Sequence, residues 1–244
     1  MNIRTLIPAP FRLQYQLVKR YWKDVQQKGN QPFAQKNNQK EKAFSPQIDL
    51  EQPVKKSAFA ANKVFNIQKA SDSIASYIVE PGEMFSFWKA VGPPSRRKGF
   101  KEGRNIVNGE LKKGYGGGLC QLSGIVYHLA LTAGLEVAER HHHSMDIYKE
   151  EDRFCPLGSD ATVVYGYKDL RLRNNLEVPV RFSFKVNEKS VSGILETSGE
   201  IIKRNVEFLR KDQQDKREVI TIFKENGKNI EIARSVYGIA PTTR

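Results

Sequence analysis

The chain has only two cysteines, Cys120 and Cys155, in 244 residues, too few to build a disulfide framework. Runs of apolar residues long enough to cross a bilayer as a helix are absent. The opening ten residues lack the apolar centre of a cleaved signal peptide, so the expected location is cytoplasmic or peripheral at a membrane. No Gly-Lys-Ser/Thr follows the one glycine-rich loop and no Gly-x-Gly-x-x-Gly occurs, which argues against nucleotide binding. Neither Cys-x-x-Cys nor His-Glu-x-x-His is present, so nothing in the spacing announces a metal site. Internal repeats are lacking too. Acidic residues are scarce beside basic ones, 27 against 40, giving a net charge of +13. That surplus favours anionic surroundings, but without a nucleic-acid motif it is an electrostatic bias and not a binding code.

What the chain does have is concentrated glycine. Gly114-Tyr115-Gly116-Gly117-Gly118-Leu119-Cys120-Gln121-Leu122-Ser123 places four glycines just before a cysteine. After it, Leu122, Ile125, Val126, Leu129, Ala130 and Ala133 recur at helical spacing, and Gly134 stops the pattern as a C-cap does. The reading is a loop feeding a helix of about four turns with Cys120 in its first turn. Unpaired amides and the positive end of the helix dipole favour a thiolate there. Glycine amides can also donate to a developing oxyanion. The plainer alternative is a small buried cysteine beside a turn.

A thiolate nucleophile needs a base and a group to orient that base. All four histidines fall between 128 and 143. His128 lies on the cysteine helix, roughly 12 Å along its axis at about 1.5 Å per residue, and is read as a surface or packing residue. The segment 135–145 alternates like a strand, with His141 and His143 on one face and His142 on the other. Cysteine at a helix start, histidine on the next strand and a carboxylate on the one after is a papain-like arrangement. It makes His143 or His141 the candidate base, Asp160 the leading orienter and Asp169 the reserve. Zinc held by Cys120, His141 and His143 is the competing chemistry. A non-catalytic module that grips cell-wall or lipid-linked precursors through its basic surface is the competing function.

Elsewhere, apolar residues from 13 to 25 recur at helical intervals among basic ones, giving an amphipathic helix. It can lie on an anionic membrane surface, although docking on its own domain is the favoured reading. Residues 26–45 read as a polar connection. A second helix is expected over 63–79, a hairpin around Asn108-Gly109, strand-like runs at 161–167, 170–173, 180–186 and 191–196, and a last hairpin from 219 to 233. The expected fold is α+β: a central helix with a cysteine at its N-terminus packed on a mostly antiparallel sheet, plus N-terminal helices and a C-terminal β-hairpin. The expected segments are 1–45 (basic helix and linker), 46–200 (main domain) and 201–244 (C-terminal extension).

An ordered set of motifs resembles the VanW family. It begins at Pro81-Gly82-Glu83-Met84-Phe85-Ser86-Phe87 and Val91-Gly92-Pro93, and continues through Gly116 to Ser123, Ala133-Gly134-Leu135-Glu136 and Glu139-Arg140. It ends with His143-Ser144, Asp160-Ala161-Thr162-Val163, Asp169-Leu170 and Asn174-Asn175. The resemblance covers about residues 60–180. It implies a role in peptidoglycan metabolism and glycopeptide resistance, through cysteine acyl transfer of the L,D-transpeptidase type on stem peptides or their precursors, with no cofactor. Carried over by position, Cys120 is the nucleophile, His143 the base and Asp160 its support. Gly117, Gly118, Gln121, Ser123, His141 and Arg140 are then candidate oxyanion or substrate-binding residues. Two departures stand out. The better-known Ser-x-Gly-Cys signature of L,D-transpeptidases is absent, and Ser123-Gly124-Ile125-Val126-Tyr127 replaces the family's common Ser-Thr-Thr-Leu-Tyr, putting glycine inside a helix at a cost of about 1 kcal/mol.

Overall fold

The computed structural model describes residues 8–27, 32–36, 43–107, 110–146, 148 and 150–239. In chain order it runs α1 (Ala9–Gln27), β1 (Ser45–Pro53), α2 (Ala60–Ala75), β2 (Ile78–Val79), β3 (Met84–Ser86) and α3 (Phe87–Val91). A hairpin of β4 (Glu102–Val107) and β5 (Glu110–Tyr115) leads into α4 (Leu119–Ala133). Three short strands follow: β6 (Glu136–Glu139), β7 (Met145–Asp146) and β8 (Arg171–Arg173). The chain then continues through β9 (Val180–Val186), β10 (Ser190–Thr197), β11 (Val206–Asp212), β12 (Lys216–Glu225) and β13 (Lys228–Ile239).

The architecture is α+β. One sheet has the order β1-β10-β9-β2, a second β11-β12-β13-β7 and a third β3-β8-β6, while β4 and β5 form a separate ribbon. Among the described strands the pairing is antiparallel, save for the parallel contact of β13 with β7. Helix α4 sits against β1 and β10 and next to α2. Its apolar residues Leu122, Ile125, Val126, Leu129, Ala130 and Ala133 are all buried, and so are Ser123, Gly124 and Tyr127 between them. A helix enclosed on nearly every side is apolar around most of its circumference, which is what the sequence provides.

Glycine fixes both ends of α4. Gly118 is its N-cap at φ 101°, and Gly134 ends it in the left-handed region, with its N–H and that of Leu135 returning to carbonyls of the last turn, a closure that favours glycine. Ahead of the helix, Gly103 of β4 lies so close to Gly117 that a Cβ on Gly103 would stand 2.9 Å from the Gly117 Cα. The ribbon therefore lies directly against the glycine loop. Gly193 of β10 plays the same part on the sheet side: a Cβ there would meet Ile125 at 2.4 Å. Gly193→Ala is expected to destabilise the fold by about 1–3 kcal/mol through overpacking, read as a lower urea midpoint with an unchanged slope.

Several expectations need correction. The alternating stretch 135–145 is not one strand. β6 ends at Glu139, after a register shift against β8 between Val137 and Glu139. The run 161–167 forms turns with a single bridge between Val164 and Lys168. A strand not anticipated, β1, pairs with β10 along its length. The C-terminal region is more than a hairpin, because β11 adds a third strand and β7 a fourth. Much of the 26–45 connection and the Asn108-Gly109 turn lie outside the described residues. Within the connection, Phe33 bridges Met84 of β3 and Ala34 is buried.

Candidate active site

Cys120 occupies the first turn of α4, partly buried, and its S–H points to the carbonyl of Val163 at 3.8 Å. Both cysteines are free thiols. The backbone N–H groups of Gly117, Gly118 and Cys120 meet no acceptor among the described residues, as expected of amides ahead of and within a first helical turn.

His143 reaches Cys120 from an irregular segment, not a strand. Its Nδ1–H donates to Asp160 Oδ2 at 2.6 Å, and its backbone N–H donates to the same oxygen at 2.7 Å. That leaves Nε2 as the ring nitrogen not engaged by Asp160, with Cys120 near enough to act on the imidazole. Burial alone would lower the imidazole pKa. The Asp160 hydrogen bond, then the hydrogen bond and charge of Cys120, outweigh it and raise the pKa from 6.5 to about 10. The ring therefore carries its proton at neutral pH, although 26% of its side-chain surface remains accessible.

Asp160 is held from both sides. Its Oδ1 accepts from Tyr237 Oη at 2.5 Å and from Arg140 Nη2 at 3.1 Å. Arg140 Nε also donates to the Asp160 carbonyl at 2.8 Å, and Nη2 to that of Gly158 at 2.8 Å. Burial pushes the Asp160 carboxyl up, but His143, Arg140 and Tyr237 together hold it well below the usual carboxylate range. Tyr237 moves the opposite way, raised first by burial and then by the Asp160 charge.

The raised imidazole gives a signed stability effect. Folding favours protonated His143, so its contribution is complete below pH 6.5 and is lost as pH climbs through about 10. The difference in unfolding free energy between the native protein and His143→Gln is therefore expected to shrink from pH 6 to pH 10.5. Urea titrations at a series of pH values measure it, and subtracting the two proteins cancels other groups that titrate there.

The remaining candidates fall into different places. His141 turns away, its Nε2 3.0 Å from Glu139 Oε1. His142 Nδ1 lies 2.7 Å from the His143 carbonyl and its ring packs on Tyr237. The proposed zinc set is not assembled, and among the described residues no group of three or more His, Cys, Asp or Glu side chains is disposed to hold a metal ion. Asp169 orients no histidine. It is buried, accepting from Ser86 Oγ at 2.6 Å, Trp88 N at 3.1 Å and Arg171 Nε at 3.2 Å.

Ser123 is fully buried and donates to the Ala161 carbonyl at 2.6 Å, which clamps α4 to the segment carrying Asp160; it is not exposed to a substrate. Gln121 Nε2 donates to the Pro53 carbonyl at 3.0 Å. Arg140 has a 6% exposed side chain and stacks over the Tyr127 ring at 4.9 Å, so it supports Asp160 from inside. His128 packs edge-on against Phe208. Burial raises the Cys155 thiol pKa, only partly offset by its hydrogen bond to Ser159.

Two members of the Asp160 support, Tyr237 and Ser235, come from β13; Arg140 Nη1 donates to Ser235 Oγ at 2.5 Å. Sequence reasoning missed them, because an alternating strand 77 residues beyond Asp160 carries no motif that points back to it.

Residues 62–195 match the family model described as VanW like protein. The chain belongs to the VanW family. Among curated proteins it is 37% identical over 115 residues to the uncharacterized protein YoaR of Bacillus subtilis, covering 47% of this chain and 36% of YoaR. It is 30% identical over 135 residues to the vancomycin B-type resistance protein VanW of Enterococcus faecalis, covering 55% of this chain and 49% of that protein. The matches thus span half or less of these relatives' own lengths. No solved structure matches. Cys120, His143 and Asp160 all lie inside the VanW-like region, whereas Ser235 and Tyr237 lie beyond it.

Proposed function

We propose that this VanW-family protein is a cysteine acyl transferase of the L,D-transpeptidase type, acting on peptidoglycan stem peptides or their precursors. The observation that carries the reading is His143 set between the Asp160 carboxylate and Cys120 at a glycine-primed helix start. Kinship with a protein named for vancomycin resistance supports a cell-wall substrate.

In the reactive form the Cys120 proton has passed to His143 Nε2, leaving an imidazolium beside a thiolate. The Cys120 thiolate attacks a stem-peptide carbonyl carbon, forming the C–S bond and an oxyanion beside the amides of Gly117, Gly118 and Cys120. Collapse breaks the C–N bond, and the departing amine takes the His143 proton. The amine of a second stem then attacks the thioester carbonyl and gives its proton to His143, and Cys120 leaves as thiolate. Water in place of that amine would make the same site an amidase.

Incubation with defined tetrapeptide stems, followed by intact-mass analysis of the protein and peptide mapping, tests the reading. The expected result is an acyl adduct on Cys120 that a stem amine discharges, and no adduct on Cys120→Ala. Absence of adduct across tetrapeptide and pentapeptide stems, or an adduct on Cys155 alone, would falsify it.

A further inference from the structure

Helix α1 meets the rest of the protein with a face that is largely polar. Arg20 Nη2 lies 2.8 Å from both Glu139 oxygens, and buried Asp24 pairs with Arg171 at 2.6 Å and with Lys89 at 3.1 Å. Leu13 and Leu17 close over Gly166 between them. Docking on its own domain therefore uses one side of the helix and leaves another bare. Phe11 (68%), Tyr15 (66%), Val18 (52%) and Trp22 (60%) stand exposed, and Val25 extends the same row.

Their spacing, i, i+4, i+7, i+11 and i+14, makes one continuous stripe along four turns. Lys19 and Lys23 run along its edge, and neither has a carboxylate partner among the described residues. Among those residues no helix is long and apolar enough to cross a membrane, so the stripe belongs to a helix that can lie in an interface, not through one.

We infer that α1 is a docking surface for an anionic lipid bilayer. Trp and Tyr are the side chains suited to headgroup depth, where a ring is half dry and its polar tip wet. Lysines flanking such a row supply attraction to anionic headgroups, and the net charge of +13 acts in the same direction. A protein partner would have to bury aromatics and bare lysine charges together, whereas an anionic bilayer complements both. The ion pairs that fix α1 to Glu139, the residue hydrogen-bonded to His141, set the domain at about one helix diameter, roughly 10 Å, from the headgroups. This inference does not rest on the transferase reading, and the two can fail separately.

The test is co-sedimentation of the full chain with vesicles of phosphatidylglycerol and phosphatidylcholine, against phosphatidylcholine alone, at low ionic strength. Trp22 reports directly, because the other tryptophan, Trp88, is buried. The expected result is binding to the anionic vesicles with a blue shift of Trp22 emission. Phe11→Ser/Tyr15→Ser/Val18→Ser and Lys19→Glu/Lys23→Glu should each weaken binding at least about tenfold. All five positions are exposed, so circular dichroism should be unchanged. Native protein left in the supernatant, or full binding by the triple variant, overturns the inference. So does a dimer in sedimentation velocity that the triple variant abolishes while the native protein ignores vesicles; the stripe would then be a self-interface.

Discussion

His143→Ala is expected to slow acylation of Cys120 by roughly 10²–10⁴-fold, the usual contribution of a positioned proton-transfer group, and to lower the melting temperature at neutral pH while leaving the protein folded. The fold survives through the bonds that remain. Without the imidazole, Asp160 still accepts from Tyr237, from Arg140 and from the backbone N–H of residue 143. Its charge stays paired, so the fold keeps its support. Cys120 loses the only ring that serves it, since His141 is engaged by Glu139 and His142 lies against Tyr237. Asp160→Asn should slow the reaction too, because the ring would lose the partner that fixes its Nδ1 proton. Quenched-flow mass spectrometry with a tetrapeptide stem measures both rates. Equal rates for the native protein and His143→Ala would remove His143 from the chemistry.

Arg140→Ala is expected to have the largest effect on stability, about 3–5 kcal/mol, the range for breaking a buried ion pair by deleting one partner. Truncation removes the cation and one of two donors from Asp160 Oδ1, takes its side-chain donors from the Asp160 and Gly158 carbonyls and from Ser235 Oγ, and uncovers the Tyr127 ring. Arg140→Lys should recover only part of the loss, since a single ammonium cannot reproduce a planar fork that reaches several acceptors. Tyr237→Phe gives a smaller step, about 1.5–3 kcal/mol for one hydrogen bond to a charged group. Urea unfolding of the three variants ranks them, and a loss below about 1 kcal/mol for Arg140→Ala would show that the network is not held as described.

The legible parts of this site are local ones. Gly118 and Gly134 bracket α4 because backbone strain at a helix end depends on one residue at a time, and the apolar spacing from Leu122 to Ala133 marks its buried surface without reference to the rest of the chain. The pairing of His143 with Asp160 came from motif order and analogy, and the geometry brings those two side chains together. The unread parts depend on distant contacts. The alternation from 135 to 145 looks like a strand, yet side chain and backbone compete for the same hydrogen bonds there. Arg140 turns inward to Asp160 and His143 donates its own N–H to that carboxylate, so the ladder stops at Glu139. The inner face of α1 was illegible for a related reason. Asp24 is buried only because Arg171 lies beneath it, 147 residues on, and no local pattern announces such a partner.

Synthesis proceeds from N- to C-terminus, and Tyr237 leaves the ribosome 77 residues after the carboxylate it steadies. A nascent chain that has emerged only through Asp160 holds Cys120, His143 and that carboxylate, but not yet the hydroxyl that clasps the carboxylate from outside. The setting of the Asp160 carboxylate beside His143 is thereby completed by a strand made late, so docking of β13 ties the C-terminal sheet to the surroundings of Cys120.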